Sequence, residues 1–204
     1  MSYTQIAQLE LLNALKSITS EADLNEFKDL VAHFFAAKAQ KEIDALWDNG
    51  TINEETINQW GAEHMRTHTA MRRIVLDTNC LLQALPTNSP YHKIWSGVLC
   101  GEISLCVNTD ILIEYEEILA QKTTKEIAHN VVEAIARLHT TEFQETYIHF
   151  GLIEQDVDDN KFVDCAVAAD AEYIVTNDAH FNVLKLIDWP KVSILTIGEF
   201  TAQL

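Results

Sequence analysis

Four short apolar runs, separated by helix-period segments, most restrict what this chain can fold into. The first is Arg73–Asp77, in which Ile74, Val75 and Leu76 stand between a basic lead-in and a carboxylate. Ile103–Val107, Tyr173–Thr176 and Val192–Ile197 follow. Between them lie helical patterns over about 91–100, 109–121, 124–139, 160–171 and 179–187. A strand that is apolar at nearly every position, not every second one, is covered on both faces. Helices that return the chain to the start of the next parallel strand supply that cover. The expectation is an α/β fold with a parallel sheet flanked by helices over residues 71–204.

Residues 1–70 differ. They hold no proline and no strand-like alternation. Ile6, Leu9, Leu12 and Leu15 make a stripe at helical spacing. Ser20, followed by Asp23 and Glu26, marks a helix start. That helix carries Leu24, Phe27, Leu30, Val31, Phe34, Phe35, Ile43 and Leu46 and stops at Asn49-Gly50. A third helix is expected from about Asn53, with Ile57, Trp60 and Met65 on its apolar side. The chain therefore divides into a small all-helical segment, 1–70, and an α/β domain, 71–204.

Charge narrows the function. The chain has 14 Lys+Arg against 31 Asp+Glu, a net of −17. That balance argues against gripping nucleic acid by bulk electrostatics, because that mode needs many basic side chains on phosphates. An enzyme whose carboxylates hold a metal is not excluded. No stretch approaches the roughly 18 apolar residues of a membrane span, and the first residues lack a basic leader, so the expected setting is cytoplasmic, without a membrane partner. Cys80, Cys100, Cys106 and Cys165 form no C-x-x-C pair and read as buried, reduced thiols. No glycine-rich phosphate loop occurs among the six glycines.

The informative residues are acids. Asp77 ends the first apolar run, and Asp178 follows Tyr173–Thr176 just beyond the third. In an open parallel sheet the carboxyl ends of the strands form the crevice where ligands bind. If those two strands are neighbours, both carboxylates enter one cleft. Asp159 stands at the start of the 160–171 helix, with Asp164 further in, and Glu114 lies among Ile111, Leu112, Ile113 and Tyr115. Alone, Asp159 reads as a helix cap and Glu114 as a solvated helix residue. Together, four separate elements each offer a carboxylate. Like charges packed in one cleft raise each other's pKa values, and a hard divalent cation removes that cost. Oxygen ligands favour Mg²⁺ or Mn²⁺ over zinc. The residues thus point to a metal-dependent phosphodiester hydrolase.

Ile74–Asn79, Ile111–Leu119, Asp158–Ala166 and Tyr173–Asp178 resemble, in order, the motifs of PIN-domain ribonucleases. The resemblance covers about 72–200 and is nearest to PIN toxins of toxin–antitoxin pairs. It implies a Mg²⁺- or Mn²⁺-dependent endoribonuclease with Asp77, Glu114, Asp159 and Asp178 as catalytic, metal-binding acids. Thr78, Asn79 and Thr176 would support them. Asp164 also matches a position that often carries an acid, and either Asp159 or Asp164 would face the metal. Lys161, beside Asp159, is the first candidate for an RNA phosphate contact.

Phe34–Gly50 and Glu63–Arg66 resemble a small helical antitoxin encoded beside such toxins. The chain then reads as a fusion in which the N-terminal segment restrains the nuclease. Arg66, the one arginine in 1–70, is placed to pair with the acidic cleft as an inhibitory group. Inhibition would act within a chain or between the chains of a homo-oligomer. His64 and His68 share a helix face, but no third metal ligand accompanies them. The competing readings are a silenced toxin–antitoxin fusion acting as an oligomeric regulator on operator DNA, a flap-type DNA nuclease using the same acids, and a helical extension that only completes the core or a dimer.

Overall fold

A computed structural model describes residues 2–4, 6–7, 11, 15–16, 18–53 and 72–204. The expected third helix, with Ile57, Trp60 and Met65, lies outside the described residues, as do Leu9 and Leu12 of the first stripe and His64, Arg66 and His68.

Five strands form one all-parallel sheet in the order β3-β2-β1-β4-β5. They are β1 (Arg72–Leu76), β2 (Ile103–Val107), β3 (Glu142–Phe143), β4 (Tyr173–Val175) and β5 (Ile194–Leu195). The β2 side chains and Ile74, Val75 and Leu76 of β1 are all buried, which is why these runs carry no polar alternation. Register places Ile74 opposite both Leu105 and Tyr173, and Leu76 opposite Val175.

The helices follow the expected pattern with end shifts of up to three residues, the largest where the 160–171 segment stops at Ala168. Glu21–Asp48 is α1, opened by a capping box between Ser20 and Asp23. The others are α2 (Thr78–Ala84), α3 (His92–Leu99), α4 (Thr109–Lys122), α5 (Lys125–Arg137), α6 (Asn160–Ala168) and α7 (Ile197–Thr201). A 3₁₀ segment spans Ala179–Leu186. Gly97 lets α3 lie close on β2, since a Cβ there would stand 2.8 Å from Ile103 Cδ1.

Three elements escaped the pattern. β3 has two residues, one half-buried and one exposed, on an edge of the sheet, so it has no apolar run to see. α2 and α7, of seven and five residues, are too short to show a period. Cys80, Cys106 and Cys165 are buried, but Cys100 is exposed where α3 ends, contrary to expectation.

α1 packs antiparallel on α5. Asp29 meets His139 beyond the end of α5, at 2.5 Å, and Lys38 meets Glu126 in its first turn, at 3.7 Å. The buried face of α1 is Ala32, Ala36, Ala39 and Ile43, spaced by four, three and four residues. Small side chains let two helix backbones approach closely, whereas Leu30 and Phe34, expected on the apolar face, are 68% and 61% exposed. Gln40 Nε2 donates to Leu85 O at 3.0 Å and Asp44 Oδ1 accepts the Thr87 N–H at 3.2 Å, fastening α1 to the loop after α2. Among the described residues, no helix is long and apolar enough to cross a membrane.

Candidate active site

β1 and β4 are neighbours, and the chain leaves them toward opposite sides of the sheet. Such a switch point opens a crevice at the carboxyl ends of the strands. Asp77 sits at its floor and is buried. Its backbone N–H donates to Val175 O at 3.0 Å, joining the two strand ends. Its carboxylate is held on both sides: Oδ1 accepts the Asn79 N–H at 2.8 Å, and Oδ2 accepts the Thr176 hydroxyl at 2.5 Å. The Asn79 side chain itself is exposed. The Thr176 oxygen in turn accepts the Asp178 N–H at 3.0 Å, and Asp178 Oδ1 accepts the His180 N–H at 2.7 Å. One hydroxyl thus couples the two strand-end acids.

Glu114 reaches the same place from α4. That helix buries Ile111, Tyr115 and Leu119 at four-residue spacing, and the buried Tyr115 hydroxyl donates to Leu76 O at the end of β1. This contact sets how α4 lies against the strand end. Glu114 Oε1 accepts the Thr78 hydroxyl at 2.5 Å, and its Oε2 lies 2.7 Å from Lys161 Nζ. Lys161, expected at phosphate, is therefore paired with an acid of the cleft.

Asp159 and Asp164 part company although they share a segment. Asp164 lines the groove, but both its oxygens are taken by the neighbouring loop: Oδ2 meets His149 Nδ1 at 2.9 Å, and Oδ1 accepts the Phe150 N–H at 3.0 Å. Its side chain is 1% exposed, so this carboxylate pins the loop before α6. Asp159 holds the cap position of α6, yet its backbone is already helical (φ −65°, ψ −19°) and its side chain makes no capping bond. Its Oδ2 is shielded from solvent and accepts no hydrogen bond among the described residues. Asn160 fixes the turn that presents it, exchanging bonds with Ile153 N at 2.9 Å and Ile153 O at 2.8 Å.

The electrostatics follow from this geometry. Burial, above all, pushes Asp77 up to about 6. The charges of Glu114 and Asp178 add to the rise, against the opposing bonds from Thr176 and Asn79. Burial also pushes Asp159 up to about 7, reinforced by Asp156, Asp178, Asp77 and Glu114. The charges of Glu114 and Asp178 therefore act on both Asp77 and Asp159 across the crevice. A groove lined by Asp110, Ile113, Glu114 and Glu117 of α4, and by the stretch from Asp156 to Lys161, extends from it. None of the described residues before 72 lines that groove.

The residues fit a divalent cation. A shielded Asp159 oxygen without a hydrogen bond, in a carboxyl group pushed up by burial and by the acids around it, is the arrangement a hard cation relieves. Ligand atoms of Asp156, Asp159 and His180 lie within 4.8 Å of one another. Asp156 and His180 were not anticipated. Their only sequence signals are a histidine two residues beyond Asp178 and an aspartate three before Asp159.

An open parallel sheet with acids converging at its switch point defines an α/β protein whose cleft suits metal-assisted chemistry. Residues 73–180 match the family described as PIN domain, and the chain belongs to it. Membership implies a nuclease, typically metal-dependent, that acts on nucleic acid. Residues 2–66 match a family of unknown function (DUF8507), which attaches no activity to the N-terminal segment. No curated protein and no solved structure matches the chain.

Proposed function

We propose that this chain is a Mg²⁺- or Mn²⁺-dependent endoribonuclease of the PIN toxin type, whose residues 71–204 form the nuclease domain. The observation that supports this is a shielded Asp159 oxygen with no hydrogen-bond partner among the described residues, in a carboxyl group on which the charges of Asp77, Glu114 and Asp178 act. Asp77, Glu114, Asp159 and Asp178 would hold the cation. When bound, the cation neutralises these acids, activates a water and stabilises charge on the phosphodiester. The protein's part is orientation. Thr176 and the Asn79 N–H fix the Asp77 oxygens, Thr78 fixes Glu114, and Thr176 ties Asp178 to Asp77. Asp164 supports the site by holding the loop at His149 and Phe150. The choice of RNA over DNA rests on the resemblance of the four motifs to PIN toxins.

Residues 1–70 form the restraining segment in this reading. α1 anchors it to α5 and to the loop after α2. Arg66 is the group assigned to the acidic cleft, from the same chain or from a second copy. One experiment tests both halves: RNA and single-stranded DNA cleavage by the full chain with Mn²⁺. Asp77→Asn should lower RNA cleavage by about 100-fold or more, and Arg66→Ala should raise it. Unchanged cleavage in Asp77→Asn would remove the assigned centre. Unchanged cleavage in Arg66→Ala would remove the restraint.

A further inference from the structure

The 3₁₀ segment that follows Asp178 turns His180 back toward α6. Its Nδ1 lies 4.0 Å from Asp159 Oδ2 and 3.3 Å from Asp178 Oδ1. Both His180 Nδ1 and Asp159 Oδ2 are shielded from solvent, and neither meets hydrogen-bond geometry with any partner among the described residues. Two shielded ligating atoms that face each other without a hydrogen bond are costly, although their side chains are 41% and 21% exposed, and a cation between them would satisfy both. Asp156 completes the group, its ligand atom within 4.8 Å of the other two. Ligand atoms about 2.0–2.2 Å from a common ion lie roughly 3–4.4 Å apart, so a small side-chain adjustment closes this set.

We propose that His180, Asp159 and Asp156 form a nitrogen-containing cation subsite beside Asp77 and Asp178, biasing this cleft toward first-row transition cations over Mg²⁺. The inference rests on the reading that the cleft holds a divalent cation and deepens it by naming a ligand of different chemistry. Oxygen-only sites suit Mg²⁺. An imidazole nitrogen adds affinity for Mn²⁺ and the later ions of the series but little for Mg²⁺, which keeps oxygen and water. His180 is placed for this by its own chain: its backbone N–H is held by Asp178 Oδ1 at 2.7 Å, which fixes where the ring begins. His149, which also lines the groove, is instead engaged by Asp164 at 2.9 Å.

The test uses the full, metal-free chain titrated with Mn²⁺ and, separately, Mg²⁺, with pulsed electron paramagnetic resonance on the Mn²⁺ form. Imidazole nitrogen couplings should appear in the parent and in His149→Ala and vanish in His180→Ala. His180→Ala should also weaken Mn²⁺ binding by about 10-fold or more, with a much smaller change for Mg²⁺. Circular dichroism checks that the variant is folded. Absence of nitrogen coupling in the parent, its persistence in His180→Ala, or equal losses for Mn²⁺ and Mg²⁺ would overturn the subsite. RNA cleavage without nitrogen coupling would sink the subsite and leave the nuclease reading standing. Nitrogen coupling without cleavage of any nucleic acid would do the opposite.

Discussion

The α1–α5 seam and the β1/β4 crevice follow opposite rules. In the seam, small apolar side chains close the gap, and polar groups at its margins are paired: Asp29 with His139 and Lys38 with Glu126. In the crevice, acids gather with Lys161 as the cation placed among them, and a shielded Asp159 oxygen has no hydrogen-bond partner. The seam is what stability alone would select. The crevice is stable only at a cost, and such local violations concentrate where a protein binds or reacts.

The largest expected effect that sharpens this contrast is the pH dependence of the metal-free chain. Asp77 and Asp159 have folded-state pKa values raised from 3.8 to about 6 and about 7. Between those values and 3.8 the folded state holds more protons than the unfolded one. Stability therefore falls as pH rises from about 4 to about 7, and the loss is complete above that window. For Asp77 the loss is about 3 kcal/mol. Urea unfolding between pH 4.5 and 8 should show this decline, and saturating Mn²⁺ should restore stability most at the upper end. A metal-free chain whose crevice contribution is flat over that range would make the crevice as ordinary as the seam.

Next in size is overpacking of the seam. Ala36→Leu forces α1 away from α5 and should cost about 1–3 kcal/mol in urea unfolding, with Mn²⁺ affinity unchanged. Phe34→Ser, on the exposed side of the same helix, should stay within about 0.5 kcal/mol. Equal costs would mean that the alanine face does not define the contact.

The smallest effect separates two roles for Lys161. As the partner of Glu114, its loss in Lys161→Met frees a carboxylate and should tighten Mn²⁺ binding about 5-fold, near 1 kcal/mol. As a phosphate contact, its loss should raise the KM for RNA and leave Mn²⁺ affinity where it was. Calorimetry and steady-state cleavage read the two outcomes separately.

Much of the fold was legible because β1, β2 and β4 are buried on both faces and so carry uninterrupted apolar runs. Asp77 and Asp178 stood out because a carboxylate at or just beyond the end of such a run has few places to go except the strand-end crevice. The alanine face of α1 was hidden, since alanine's small contribution to apolar periodicity loses to Leu30 and Phe34, which end up in solvent. Asp159 and Asp164 looked interchangeable, because both lie within the first turns of one helix. Only the neighbouring loop, by taking both Asp164 oxygens, tells them apart.

Local order along the chain determined the strands, most helices and the acids that end or start them, because those depend on burial period and capping within a few residues. The sheet order that makes β1 and β4 neighbours, the pairing of Lys161 with Glu114 and the turning of His180 onto Asp159 were decided by the tertiary structure. These contacts join residues between 21 and 99 positions apart, and no local pattern encodes which distant groups the packing of helices on a sheet brings within a few ångströms.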